Sequence, residues 1–154
     1  MNELSTDPYY KKIANLSSEV KSKLFRKGLV VPKRNNDNTV SVGSYTIKRD
    51  ENSHYSIVDT QNDVLANNIN LAHTAVVLAN ELALGKGINQ KLLAKDQIYG
   101  GTLFEDEMYK QRISKIKDPE LRETLLIKQE NNKEKQEMYR YEIEQSYQNL
   151  MRIA

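Results

Sequence analysis

The segment "LAHTAVVLANELAL", residues 71–84, is poor in charged residues, in a chain of 154 residues of which 29% are charged. Its first ten residues carry no formal charge, and alanine, valine and leucine would occupy most of the circumference of a helix formed there. A helix that is apolar nearly all round is typically buried on more than one side. Asn70 can cap its start, and "GKG" ends it. We therefore expect a buried central helix around which the rest of the fold is arranged.

The residues directly before this helix predict a small β-sheet. Tyr45 and Ile47 share one face of a first strand, and Tyr55 and Ile57 share one face of a second, because side chains alternate along a strand. The turn "DENS" joins these strands, and "TQND" leads to a third short strand, "VLANNI". A sheet of this size is not stable alone, so its apolar face predicts that the central helix covers it.

Further helices are predicted on both sides of this core. Near the start of the chain, "DPYY" contains an aspartate and a proline of the types favoured where a helix begins, and apolar residues then recur at helical spacing. After the central helix, a short helix breaks at Gly100 and Gly101, and another begins at Thr102. The segment "KDPE" predicts a new start at Asp118, followed by a helix to about Ile153 that would be about 50 Å long.

The last of these helices has an uneven pattern. The segment "KQENNKEKQE" has no apolar residue for ten positions, which favours either a solvated bridge between two docking ends or a break that lets the tail fold back. A regular homodimeric coiled coil is not expected there, because it needs an apolar seam throughout. Beyond this run, an apolar stripe returns that we expect to lie away from the core. Tyrosine and arginine are favoured in interfaces, so we predict a partner-binding patch at Tyr139, Arg140, Ile143, Tyr147 and Leu150.

Together these patterns predict an α+β fold with a small three-stranded antiparallel β-meander covered by a buried central helix. An N-terminal helix precedes the meander, and a C-terminal helical hairpin with one long helix follows the central helix. We expect residues 1–101 to form an α+β core domain. Residues 102–154 are expected to form the hairpin arm, packed on the core at its base.

Composition excludes several classes of function. The chain has no Cys, so it has neither disulfides nor a thiol nucleophile. No apolar run approaches the roughly 18 residues that span a bilayer, and "MNELSTDPYYKK" lacks the apolar core of a signal peptide. We expect a soluble, intracellular protein without a membrane partner.

Candidate catalytic and metal-binding residues are few. Neither of the two histidines, His54 and His73, is accompanied by a second ligand at metal-binding spacing. The acidic cluster Glu105, Asp106 and Glu107 is explained by its place at a helix start, where the helix dipole favours negative charge. The segment "ALGKGIN" lacks the spacing of a phosphate-binding loop. We expect no enzyme activity, no metal, no cofactor and no small-molecule substrate.

A basic first third of the chain is the second functional indication. The net charge is only +2, but residues 1–50 hold ten Lys or Arg against five Asp or Glu. Ordinary solvated surface accounts for most such biases, but a basic face can also bind nucleic-acid phosphates without sequence preference. The candidate nucleic-acid-binding residues are Lys11, Lys12, Lys23, Arg26, Lys27, Lys33 and Arg34.

The segment "GSYTIKRDENSHYSIVDTQNDVLANNINLAHTAVVLANELALG" resembles small uncharacterised proteins of marine contractile-tailed bacteriophages. The resemblance lies in the paired "SYTI" and "HYSI" strands, the "NINL" entry to the helix and "TAVVLANELA", and it covers about a third of the chain. It implies a viral origin and a role in virion structure or in takeover of the host cell, hence a location in the virion or the host cytoplasm. We therefore expect a non-enzymatic structural or assembly protein that docks on a partner or on itself through the long C-terminal helix. The alternative is a small accessory protein that binds nucleic acid.

Overall fold

The computed structural model describes residues 32–152, together with Ser17, Glu19, Leu29 and Val30. The predicted N-terminal helix lies almost entirely outside the described residues. Five strands come first: β1 (Pro32–Arg34), β2 (Val40–Val42), β3 (Tyr45–Arg49), β4 (Tyr55–Val58) and β5 (Val64–Ile69). Three helices follow: α1 (Ala72–Ala83), α2 (Gln90–Lys115) and α3 (Pro119–Met151). The predicted α+β class is confirmed.

The five strands form one antiparallel sheet in which each strand pairs with its neighbour in sequence. Ile47 of β3 lies opposite Ile57 of β4, in agreement with the alternation of the two strands. The prediction of three strands was wrong in number, because β1 and β2 extend the sheet beyond the predicted β3, β4 and β5. Each of the two added strands has three residues, which is too few for alternation to identify a strand.

Three of the four turns between strands, at residues 35–39, 50–54 and 59–63, have the same construction. In each, the backbone N–H of the first residue donates to the carbonyl of the fifth at 2.8 to 3.0 Å, and the fourth residue has φ of 64° or 65°. Asp50 and Asp59, at the first position of two of them, accept backbone N–H groups two and four residues further on. These local bonds set the chain reversals and hence the register of the strands.

The hydrophobic core lies between one face of the sheet and α1. Ile47, Ile57 and Leu78 are fully buried there, and α1 is buried around most of its circumference, as its sequence predicted. Asn80 is a buried polar residue of α1, and its side-chain Oδ1 accepts the backbone N–H of Val30 at 2.7 Å. The segment 71–84 therefore has few charged residues because it forms the centre of the hydrophobic core.

The helix α2 is continuous through Gly100 and Gly101, so the predicted break there is wrong. A Cβ atom on Gly100 would overlap the side chain of Asn70, which indicates that glycine serves close packing at this position. Thr102 lies inside the helix, where its hydroxyl donates to the carbonyl of Tyr99 at 2.6 Å, and it does not cap a helix start. The acidic cluster that follows is likewise inside a helix, so the helix dipole does not account for it.

Candidate functional site

The candidate site is carried by the antiparallel hairpin of α2 and α3. The side chain of Asn89 caps α2 by accepting the backbone N–H three residues on. Asp118 caps α3 by accepting the backbone N–H two residues on, and Pro119 occupies the first turn, in agreement with the helix start predicted at "KDPE". The helix then continues without interruption to Met151, so the polar run "KQENNKEKQE" does not break it.

The base of this hairpin belongs to the hydrophobic core. Ile143, Tyr147 and Leu150 are buried in the same cluster as the residues of α1 and the sheet. The ring of Tyr147 stacks on the ring of His73, with centroids 4.1 Å apart and planes 17° apart. The sequence predicted that these three residues of α3 lie away from the core and bind a partner. Their placement corrects that expectation: the helical spacing reflects packing within the chain, which covers their side chains.

The other two residues of the predicted patch lie at its margin. Tyr139 is half-buried and packs against the core. Arg140 is exposed, but its Nε donates to Oε1 of Glu144 at 3.0 Å. This hydrogen bond, with a smaller contribution from Tyr99, raises the pKa of Arg140. Arg140 is therefore held in an ion pair along its own helix.

Beyond the base, α2 and α3 face each other through polar side chains. Asn132 is buried, and its Nδ2 donates to the backbone carbonyl of Thr102 at 2.9 Å. Gln129 Nε2 donates to Oδ1 of Asp106 at 3.4 Å. We call Thr102, Asp106, Gln129 and Asn132 the polar layer. The run without apolar residues is thus part of a continuous helix, and some of its side chains face α2 and not solvent.

The part of the hairpin beyond the polar layer lies outside the main core. Ile113 and Leu125 are buried near the tip, but neither belongs to the core cluster. From Thr102 to its end at Lys115, α2 extends for about 20 Å. We call residues 103–131, which run from the polar layer to the tip and back, the distal hairpin. The predicted boundary between residues 101 and 102 falls inside α2, close to the start of this segment.

Large apolar side chains are exposed mainly on the hairpin. Of ten such side chains among the described residues, eight lie on α2 or α3. Phe104 is 69% exposed and Ile127 is 57% exposed. The eight are Ile98, Leu103, Phe104, Leu121, Leu126, Ile127, Met138 and Tyr141. Isolated exposed apolar residues are ordinary on protein surfaces, and their concentration on one pair of helices makes the hairpin the candidate site.

The buried carboxylate of Asp96 holds the junction between β5 and α1. It accepts the backbone N–H groups of Asn70 at 2.7 Å and Leu71 at 3.0 Å, and the hydroxyl of Thr74 at 2.8 Å. Leu71 occupies the cap position of α1 and makes no side-chain cap bond. Asp96 therefore fixes the entry to α1 from α2, and Asn70, the predicted cap, instead donates its side-chain Nδ2 to this carboxylate at 3.1 Å.

Sequence reasoning missed Asp96, although one signal was present. Leu92, Asp96 and Tyr99 recur at spacings of four and three and share a buried face of α2. An acidic residue in line with two buried apolar residues needs hydrogen-bond donors, because burial of an unpaired charge is costly. The donors to Asp96 are groups of Asn70, Leu71 and Thr74 that shape the junction, which indicates a structural role.

Only two of the seven candidate nucleic-acid-binding residues can be placed. Lys33 and Arg34 are adjacent and exposed on β1. The other five lie outside the described residues: Lys11, Lys12, Lys23, Arg26 and Lys27. Binding of nucleic acid by the first third of the chain stays a prediction. Within residues 32–152, no three His, Asp or Glu side chains are grouped so that they could hold a metal ion.

No protein-family model matches the chain, and neither a curated protein nor a solved structure matches it. The resemblance to phage proteins stays a prediction. In the part of the chain that the structure describes, no helix is both long and apolar enough to cross a membrane. The functional conclusion is therefore based on the geometry of the hairpin.

Proposed function

We propose that the protein is a non-enzymatic assembly protein that binds another protein chain through the distal hairpin. The observation that carries the proposal is the set of five large apolar side chains exposed along this segment, among which Phe104 is the most exposed. Aromatic residues are enriched in protein interfaces, and the set includes Phe104. Packing a second surface on these side chains would remove apolar area from water, which stabilises a complex.

The charges around these side chains favour a protein partner over nucleic acid. Lys110 and Asp106 form an ion pair at 3.2 Å, and both signs of charge alternate along α3. A surface of mixed charge does not attract phosphates selectively. The bound chain is a second copy or a different protein, and the phage resemblance supports a role in virion assembly or in host takeover.

Light scattering of the purified chain over a range of concentrations tests self-association. Phe104→Ser and Ile127→Ser are expected to weaken it, because each removes exposed apolar surface without touching the core. Phe104→Leu and Ile127→Leu are the matched controls, since they keep the surface apolar. Circular dichroism establishes that all four variants are folded.

A different partner is tested by placing a photo-cross-linking amino acid at position 104 in cells that naturally contain the protein. We expect one protein to be captured there and not from position 48, where Lys48 lies on β3. The proposal fails if the chain is monomeric at every concentration and position 104 captures nothing beyond the control.

A further inference from the structure

The two edges of the sheet differ in how they are protected against pairing with another strand. The edge strand β1 has three residues, Pro32, Lys33 and Arg34. Proline has no N–H to donate, and the two basic side chains would repel a second copy, so this edge is blocked. The opposite edge strand, β5, has six residues and no charged side chain.

Among the described residues, no strand pairs with the outer edge of β5, and three of its first four side chains are exposed. Val64 is 57% exposed, Leu65 is 39% exposed, and Asn67 is exposed as well. At Asn68 the backbone adopts φ of 54°, and its carbonyl accepts a hydrogen bond from Nε2 of Gln97 at 3.0 Å. The helix α2 therefore covers the C-terminal end of β5. We call residues 64–67 the open edge. At about 3.4 Å per residue it is about 14 Å long.

We propose that the open edge pairs with the open edge of a second copy, antiparallel about a two-fold axis, so that the two sheets become continuous. An edge strand presents unpaired N–H and C=O groups that a further strand can satisfy. A two-fold contact uses the same patch on both chains and is the commonest symmetry of homo-oligomers. Four residues on each side make a small contact, so the dimer is weak and reversible.

The charges near β5 select a second copy and an antiparallel orientation. Asp63, at the start of the strand, is the nearest charged residue in the sequence. Antiparallel pairing separates the two copies of Asp63, whereas parallel pairing would place them side by side, where like charges destabilise the pair. The open edge itself is uncharged, so it meets its own copy without repulsion, and Leu65 of each chain covers the other near the axis.

Sedimentation of the full chain from about 1 μM to about 1 mM is expected to show a monomer–dimer equilibrium. Leu65→Lys is expected to shift it to monomer, because two lysines then meet across the axis. Leu126→Lys is the matched control, since Leu126 is 45% exposed and lies on the distal hairpin. A dimer that Leu126→Lys abolishes and Leu65→Lys leaves intact overturns this proposal and supports the proposed function instead.

Single-cysteine variants give a second measurement, because the chain has no Cys of its own. On mild oxidation, Leu65→Cys is expected to form a disulfide-linked dimer, since the two copies of residue 65 lie directly opposite each other at the axis, within disulfide distance. Ser56→Cys is the control, because β4 has a neighbouring strand on both sides. A wild-type chain that stays monomeric up to the highest concentration overturns the proposal, as does cross-linking no stronger at position 65 than at position 56.

Discussion

Gly100 and Gly101 are adjacent in α2 and have opposite roles. The side chain of Asn70 occupies the space that a Cβ on Gly100 would need, whereas nothing lies within 4 Å of such an atom on Gly101. Gly101→Ala is expected to raise the free energy of unfolding by about 0.5–1 kcal/mol, because alanine is the better helix former. Gly100→Ala is expected to lower it, because Asn70 must move. Urea denaturation of both variants measures the difference, and a gain at both positions would contradict the role of Gly100.

The role of Asp96, like that of Gly100, depends on residues that are distant in the chain, because its buried carboxylate accepts hydrogen bonds from them. Asp96→Ala leaves the backbone N–H groups of Asn70 and Leu71 and the hydroxyl of Thr74 without their acceptor. We expect a loss of about 3 kcal/mol in the free energy of unfolding, since buried unsatisfied donors are costly. Glu105→Ala, at an exposed position of the same helix, serves as control and is expected to change stability by less than about 0.5 kcal/mol. Equal effects of the two substitutions would show that the carboxylate does not hold the junction.

At the scale of elements, the hairpin has an apolar base and a polar middle. The polar layer buries little apolar surface, so the distal hairpin should open locally at a lower free-energy cost than the base. We expect backbone amides near Leu125 to exchange with solvent at least about tenfold faster than those near Ile143, as measured by hydrogen exchange. Leu125→Ala should accelerate the distal amides further and leave the base unchanged. Uniform exchange along α3 would be inconsistent with a separable distal part.

Elements whose signal is local could be predicted from the sequence, and the others depend on distant contacts. The strands β3, β4 and β5 are identified by alternating apolar and polar residues, and the helix α1 by its lack of charged residues. Both signals lie within a few residues of sequence. The role of Gly100 depends on its contact with Asn70, which is distant in the chain. Without knowledge of that contact, two adjacent glycines predict a helix break. The polar layer could not be predicted, because an asparagine such as Asn132 is equally common on a solvent-exposed helix face. The sequence does not show that its side chain faces α2. The apolar stripe that includes Ile143 has the same helical spacing whether it packs on a partner or on its own core. Spacing alone therefore could not distinguish a binding surface from a core contact.

At the scale of the whole molecule, α3 contributes to the core only through its last turns. Truncation after Lys128 removes Ile143, Tyr147 and Leu150, so we expect the cooperative thermal transition to disappear. By contrast, deleting residues 107–113 and 122–128 together removes seven residues from each helix, which preserves the phase of the contact between them. We expect that shortened chain to keep a cooperative transition by circular dichroism. Loss of the transition in both variants would mean that the tip is needed for the core.

The position of Ile143 in the chain has a consequence during protein synthesis. The helix α1 ends at Ala83, and Ile143, which is buried in the same core cluster, comes about 60 residues later. At a translation rate of about 5–20 residues per second, roughly 3–12 s pass between the two. During that interval one side of α1 has no cover from its own chain and is open to chaperones and to neighbouring nascent chains. Codons that slow the ribosome within the intervening polar run should therefore lower the yield of folded protein.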